Sequence, residues 1–130
     1  MNDRKNISSG SKWEDIVGYS RAVRAGPHVY VAGTTATDEK GTVLGGDDPY
    51  QQTVVILDKI GKALNEAGAR FEDVVRVRIY VTDIQTWTDV ARAHREYFVD
   101  IRPVTTLVEV SALVTPEMLV EIEMEAIVRI

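Results

Sequence analysis

Arg102-Pro103-Val104-Thr105-Thr106-Leu107-Val108-Glu109-Val110 and Val120-Glu121-Ile122-Glu123-Met124-Glu125-Ala126 are the stretches whose reading decides the fold. In the first, Pro103 opens a run of β-branched residues, which suit a pleated strand. A strand is predicted there over 105–111. The second stretch alternates apolar residues with glutamates, the period of a strand with one buried and one polar face. It is predicted as the last strand, over 119–130. Val75, Val77, Ile79 and Val81 alternate in the same way with Arg76, Arg78 and Tyr80. Glutamates on one strand and arginines on another predict a cross-strand ion-pair ladder, with Glu121 and Glu125 among its members.

The elements around these strands carry their own punctuation. His28-Val29-Tyr30-Val31-Ala32 follows a turn at Ala25-Gly26-Pro27, so it reads as the second strand of a hairpin. Gly33 behind it predicts a bulge or a close backbone approach. Asp48 is a helix N-cap with Pro49 at the first helical position, and Gln51 is placed to complete a capping box. Val54, Leu57, Ile60 and Leu64 then recur at helical spacing until Gly68 stops the helix. Thr86 and Asp89 open a second helix whose apolar face holds Trp87, Val90, Ala91, His94, Tyr97 and Phe98. The Asn-, Ser- and Lys-rich residues 1–12 read as a flexible arm. The predicted architecture is α+β: a single mixed sheet with two helices packed on one face. The whole of residues 1–130 forms one domain at this length. The other sheet face, with Arg76, Arg78, Glu121, Glu123 and Glu125, is left for another subunit to cover.

Composition removes several function classes. There are 15 basic and 20 acidic side chains, a net charge of -5, which opposes a general nucleic-acid surface. Without cysteine there is no disulfide, thiolate metal site or thiol nucleophile. The two histidines, His28 and His94, lie too far apart for a metal motif. No apolar run reaches the about 20 residues of a membrane span. Residues 1–12 lack the apolar core of a signal peptide, and the chain reads as cytoplasmic. Gly45-Gly46-Asp47-Asp48 matches no phosphate-binding fingerprint, and its acids would repel phosphate.

From about residue 16 onward the chain resembles the RidA (YjgF/L-PSP endoribonuclease) family. The matching pieces are Gly18-Tyr19-Ser20-Arg21-Ala22, Val29 to Gly33, Asp73-Val74-Val75 through Tyr80-Val81-Thr82-Asp83, Tyr97-Phe98 and the two strands quoted first. Each is weak alone; their shared order over most of the length carries the resemblance. It implies a chorismate-mutase-like fold, a homotrimer, and ligand clefts between neighbouring subunits. It also implies binding of a small-molecule metabolite: active members hydrolyse enamines and imines such as 2-iminopropanoate, with no metal or organic cofactor.

Carried over residue by residue, the resemblance places Glu123 at the catalytic carboxylate that holds water. It places Tyr19, Thr105, Thr106 and Leu107 at substrate-binding positions. One departure stands out, because the family's carboxylate-gripping arginine is here Thr105. A desolvated guanidinium–carboxylate pair is worth roughly 2–5 kcal/mol. A neutral threonine hydrogen bond returns about 1 kcal/mol. Arg21 and Arg102 are the nearest cations in sequence. Three readings follow: a deaminase or hydrolase of a small enamine or imine other than 2-iminopropanoate, a non-catalytic metabolite-binding trimer, and, least favoured by the acidic balance, an endoribonuclease. On periodicity His94 is a packed or interface histidine.

Overall fold

A computed structural model of the chain describes residues 3–129. The strands are β1 (Arg4–Ile7), β2 (Ala22–Ala25), β3 (His28–Thr35), β4 (Val74–Val81), β5 (Val104–Glu109) and β6 (Val120–Ile127). The helices are α1 (Lys12–Val17), α2 (Pro49–Glu66) and α3 (Trp87–Phe98). The strands form one sheet in the order β1-β2-β3-β6-β4-β5. Only β4 and β5 pair in parallel; every other neighbour is antiparallel. A parallel pair needs a long crossover, and α3 supplies it between β4 and β5.

β6 lies between β3 and β4, with Met124 opposite both Val31 and Val77. Its Val120, Ile122, Met124 and Ala126 are buried against the helices, and its glutamates point to the open side. On α2 the buried stripe is Ile56, Leu57, Ile60 and Leu64, each fully enclosed. Burying such a side chain stabilises the fold by roughly 1.5–3 kcal/mol. Val54, expected in that stripe, is half-buried, because the helix turns Thr53 and Ile56 inward instead. The Asp48 cap forms as expected, accepting from Tyr50 N at 2.9 Å. Gln52, not Gln51, makes the important carboxamide contacts. Fully buried, it donates to the carbonyls of Gly46 and Glu117 and accepts from Leu119 N, tying two loops to the helix start.

Four further expectations are corrected. The predicted flexible arm contains β1, registered from Arg4 opposite Ala25 to Ile7 opposite Ala22, and then α1, capped by Ser11. Ile7 alone is buried in β1, so an edge strand with a single apolar anchor looked like a tail. Residues 1 and 2 of that stretch lie outside the described residues. Val75 is exposed because the β4–β6 register shifts between Val74 and Arg76, which turns Val74 inward. Trp87 is 53% exposed. It is the first residue of α3, after a 3-10 turn, Ile84–Thr86, that Asp83 caps through Gln85 N, and the Thr86 side chain makes no cap bond. Ala93 rather than Ala91 joins Val90 and Phe98 in the core.

Gly61 sits mid-helix, where glycine costs about 1 kcal/mol relative to alanine. A Cβ there would lie 2.9 Å from Phe71 Cζ. That ring is held edge-on by Tyr97 and Phe98, with centroids at 5.6 and 5.4 Å. Overpacking costs roughly 1–3 kcal/mol, which outweighs the propensity gain. Gly61→Ala is therefore expected to lower unfolding free energy by about 1 kcal/mol in urea titration. In a Phe71→Leu background the same substitution should raise it.

Candidate functional site

Tyr19 lies just past Gly18, the left-handed residue (φ 90°) that ends α1. It faces a groove on the open side of the sheet, shared with Glu123, Tyr30, Asn6 and Val23. Beneath this groove lies Arg21, only 4% exposed. Its Nη2 donates to the Tyr19 hydroxyl at 3.0 Å, and its Nη1 to Gly33 O at 2.7 Å and Thr34 Oγ1 at 2.9 Å. Its Nε stands 3.6 Å from Glu14 Oε2 but makes no hydrogen bond among the described residues.

Glu14 is buried and accepts from Ser8 Oγ, Ser9 Oγ and Ser9 N. Burial works to raise its pKa, but the Ser9 and Ser8 hydrogen bonds and the Arg21 charge bring it below the usual carboxylate value. Glu121 contrasts with it: burial pushes its carboxyl up against the opposing pull of Arg21. It packs onto Gly33, where a Cβ would collide with its carboxylate, at the register shift between Val31 and Thr34. The predicted close approach is thus present, and Glu121 stands outside the ion-pair ladder. Its cross-strand partner on β4 is Tyr80.

The ladder itself runs Arg76–Glu125 at 3.9 Å, Arg78–Glu125 at 3.1 Å and Arg78–Glu123 at 3.8 Å. These pairs are more than a third exposed, so each contributes little stability. Tyr80 donates a short hydrogen bond to Glu123 Oε1, which with burial pushes the phenol up. Both carboxylate oxygens of Glu123 are therefore held, one by a phenol and one beside a guanidinium.

The candidate residues divide between the two faces. Thr106 is opposite Arg78 on β4, and Arg78 is opposite Glu123 on β6, so these three form one row on the open face. Strand spacing puts Thr106 about 10 Å from Glu123. Thr105 and Leu107 pair with Val77 and Ile79 and so face the helices. Thr105 Oγ1 lies 3.3 Å from His94 Nε2, and Leu107 packs half-buried against the core. The structure thus brings Tyr19 and Glu123 together, sets Thr106 in line with Glu123, and puts Thr105 and Leu107 behind the sheet. Arg102 adopts a left-handed backbone (φ 56°), and its Nε donates to Val99 O.

Sequence reading missed Tyr80, Glu14 and the linking role of Arg21. For Tyr80 the signal was present: it alternates with Arg76 and Arg78 on the strand that a mixed sheet must pair with the glutamates.

A mixed sheet covered on one side, with an open polar face carrying a Tyr/Glu groove, defines a class of α+β protein rather than one activity. The model of the family described as Endoribonuclease L-PSP matches residues 10–128. The chain belongs to that family, also called YjgF or RidA, and has its chorismate-mutase-like fold. It is similar to a solved member of the YjgF/YER057c/UK114 family from Mycobacterium tuberculosis, 54% identical, with 96% of this chain and 99% of that one covered and a TM-score of 0.88. It is also 43% identical over 123 residues to an uncharacterized protein of Streptomyces coelicolor, covering 94% of this chain and 90% of that protein. A RutC family protein of Pyrococcus abyssi is 38% identical over 110 residues, 84% of each. No helix among the described residues is long and apolar enough to cross a membrane.

Two predictions follow from the buried groups. Arg21→Ala leaves Glu14 charged and unpaired, at a cost of roughly 3–5 kcal/mol. The Glu14→Gln/Arg21→Met double variant should lose less, as read by chemical denaturation. Burial also pushes the His94 pKa below its ordinary value of 6.5. The unfolded chain then takes up this proton at a higher pH than the folded one. The His94 contribution to stability is level above about pH 6.5 and falls as pH drops through that value. His94→Gln should flatten the decline in melting temperature between pH 7.5 and 5.

Proposed function

We propose that the protein is a cofactor-independent deaminase of a small enamine or imine, working in the cytoplasm as a homotrimer with its clefts between subunits. The observation that carries this reading is the shared groove of Tyr19 and Glu123, with the Glu123 carboxylate oriented by Tyr80. Hydrolysis of an imine needs a water delivered to carbon and a group to take its proton. Glu123 accepts that proton as the water oxygen bonds to the imine carbon. That proton goes to the imine nitrogen to give a carbinolamine, whose hydroxyl proton then passes through Glu123 to the amine as the C–N bond breaks, so that ammonia leaves a carbonyl product. Arg78 Nη1 stands 3.8 Å from the other carboxylate oxygen of Glu123 and helps to orient it.

The division of the candidate residues supports an inter-subunit cleft. Thr105 and Leu107 cannot reach Glu123 of their own chain across the sheet, whereas β5 is a sheet edge and can present them to a neighbour. Through Thr105 the cleft offers a neutral hydroxyl, so substrates without a carboxylate to be gripped are favoured over 2-iminopropanoate. A second reading, metabolite binding without turnover, draws on the same Thr105 and Leu107 and on the two contacts that already hold Glu123.

Ammonia release from imines generated in situ separates these readings. Turnover should fall by about 10²-fold or more in Glu123→Gln. Thr105→Arg should raise activity on 2-iminopropanoate at least tenfold. Ligand-dependent thermal shifts with no ammonia from any substrate would favour the binding reading. A monomer by light scattering would remove the shared cleft.

A further inference from the structure

On the helix side of the sheet, remote from Glu123, a cleft of about 480 Å³ opens between α2, residues 7–11 and the loop after β3. That size suits a small ligand. Its wall is apolar, formed by Ile7, Leu44, Val55 and Ala63. Two cations line it from within: Arg21, buried, and Lys59, half-buried. The rim carries Lys40 and Lys62 with Asp38, Glu39 and Glu66.

We propose that this cleft is a second small-molecule site, for an amphipathic monocarboxylate whose chain lies on the apolar wall and whose head meets the Arg21–Lys59 pair. Glu14 already stands against Arg21, so the charge left over in this partly dry site is one positive charge, carried at Lys59, and a single anion would balance it. Burial first and then the Arg21 charge push the Lys59 amine down to about 8, against the opposing pull of Glu14 and Asp38. The rim acids set the limit on the ligand, because a phosphate or dicarboxylate would meet Asp38, Glu39 and Glu66. An ammonium ligand would meet Arg21 and Lys59.

The polar inventory leaves room for a carboxylate. Lys59 Nζ is tied to Thr35 O and Thr37 O at 2.8 Å, with a longer contact to Thr37 Oγ1 at 3.3 Å. The hydroxyl contact is the one a ligand oxygen can replace. Arg21 Nε makes no hydrogen bond among the described residues, although Glu14 Oε2 stands 3.6 Å away. Because Arg21 also donates to the Tyr19 hydroxyl, an occupant here touches the guanidinium that supports the groove on the other side of the sheet.

Hexanoate, acetate and hexylamine are the probes, titrated into the full chain by calorimetry with amide shifts followed by NMR. Hexanoate should bind saturably and move amides in residues 37–44 and 55–63. Acetate should bind at least tenfold more weakly, and hexylamine not at all. Leu44→Asp puts a like charge on an exposed position of the wall, leaving the fold intact, and should weaken hexanoate at least tenfold. Lys59→Met should do the same. Affinity should fall several-fold as pH rises from 7 to 9.5 and Lys59 loses its charge. Facing it are Arg21, Glu14 of α1, loop residue Asp38, and Lys62 and Glu66 of α2. No saturable binding, equal binding of hexylamine, undiminished binding to Leu44→Asp, or shifts confined to the Tyr19–Glu123 groove would overturn the proposal. Loss of deaminase activity in Glu123→Gln leaves every one of these readings unchanged.

Discussion

β6 pairs on both edges, and the placement of Met124 between Val31 and Val77 determines which of its side chains reach the helices. Strand side chains alternate with period two, so a slip of one residue would bury Glu121, Glu123 and Glu125 and expose four apolar residues. Desolvating three carboxylates is far costlier than any ladder contact can recover. The register is therefore fixed by burial, and the open-face row of Glu123, Arg78 and Thr106 is its by-product. Ion pairs on that row need contribute little to stability for their geometry to be reproducible.

A second constraint comes from the N-terminal segment. Arg21 is too buried to be freely solvated, so most of its hydrogens are matched within the chain. Gly33 O, Thr34 Oγ1 and the Tyr19 hydroxyl take three of them, and Glu14 supplies the countercharge. Glu14 in turn is held by Ser8 and Ser9. That chain of contacts explains why polar residues around 8–14 are ordered next to the sheet. It also places Tyr19 over the groove by a buried support rather than by loop packing, which is how a binding residue is kept in position.

Much of this was legible in the sequence, for physical reasons. The alternation in β6 and in β4 from Arg76 onward, the Asp48-Pro49 start of α2, the Gly68 stop and the close approach at Gly33 are local rules that tertiary packing did not override. What escaped was set by partners distant in sequence. Ile7 is one apolar residue in a polar run, and only its pairing with Ala22 makes a strand of 4–7. Val75 breaks its alternation because the ladder to β6 is irregular there. Tyr80 looked like one more half-exposed strand residue until Glu123 was opposite its hydroxyl. The resemblance named the site positions but not their facing, and facing is what separates Thr105 from Glu123.

That separation bears on how a site can be built here at all. Thr105 and Leu107 lie on the helix side of an edge strand, and Glu123 lies on the open side of a central one. No side-chain rotation carries a threonine through a sheet. Either Thr105 has no part in the chemistry of Glu123, or it serves the groove of another copy. The second alternative gives a purpose to two otherwise costly features, an uncovered polar face and an edge strand left unpaired. It also changes what replacing the arginine means. A cation lost at Thr105 is lost to the neighbour's groove, while Arg78 remains beside Glu123 in the same chain. On the proposed function, the cleft would then keep its positive charge beside Glu123 and lose it on the side that would grip a carboxylate. Such a site would activate water while selecting against the small imino acids that need a clamp.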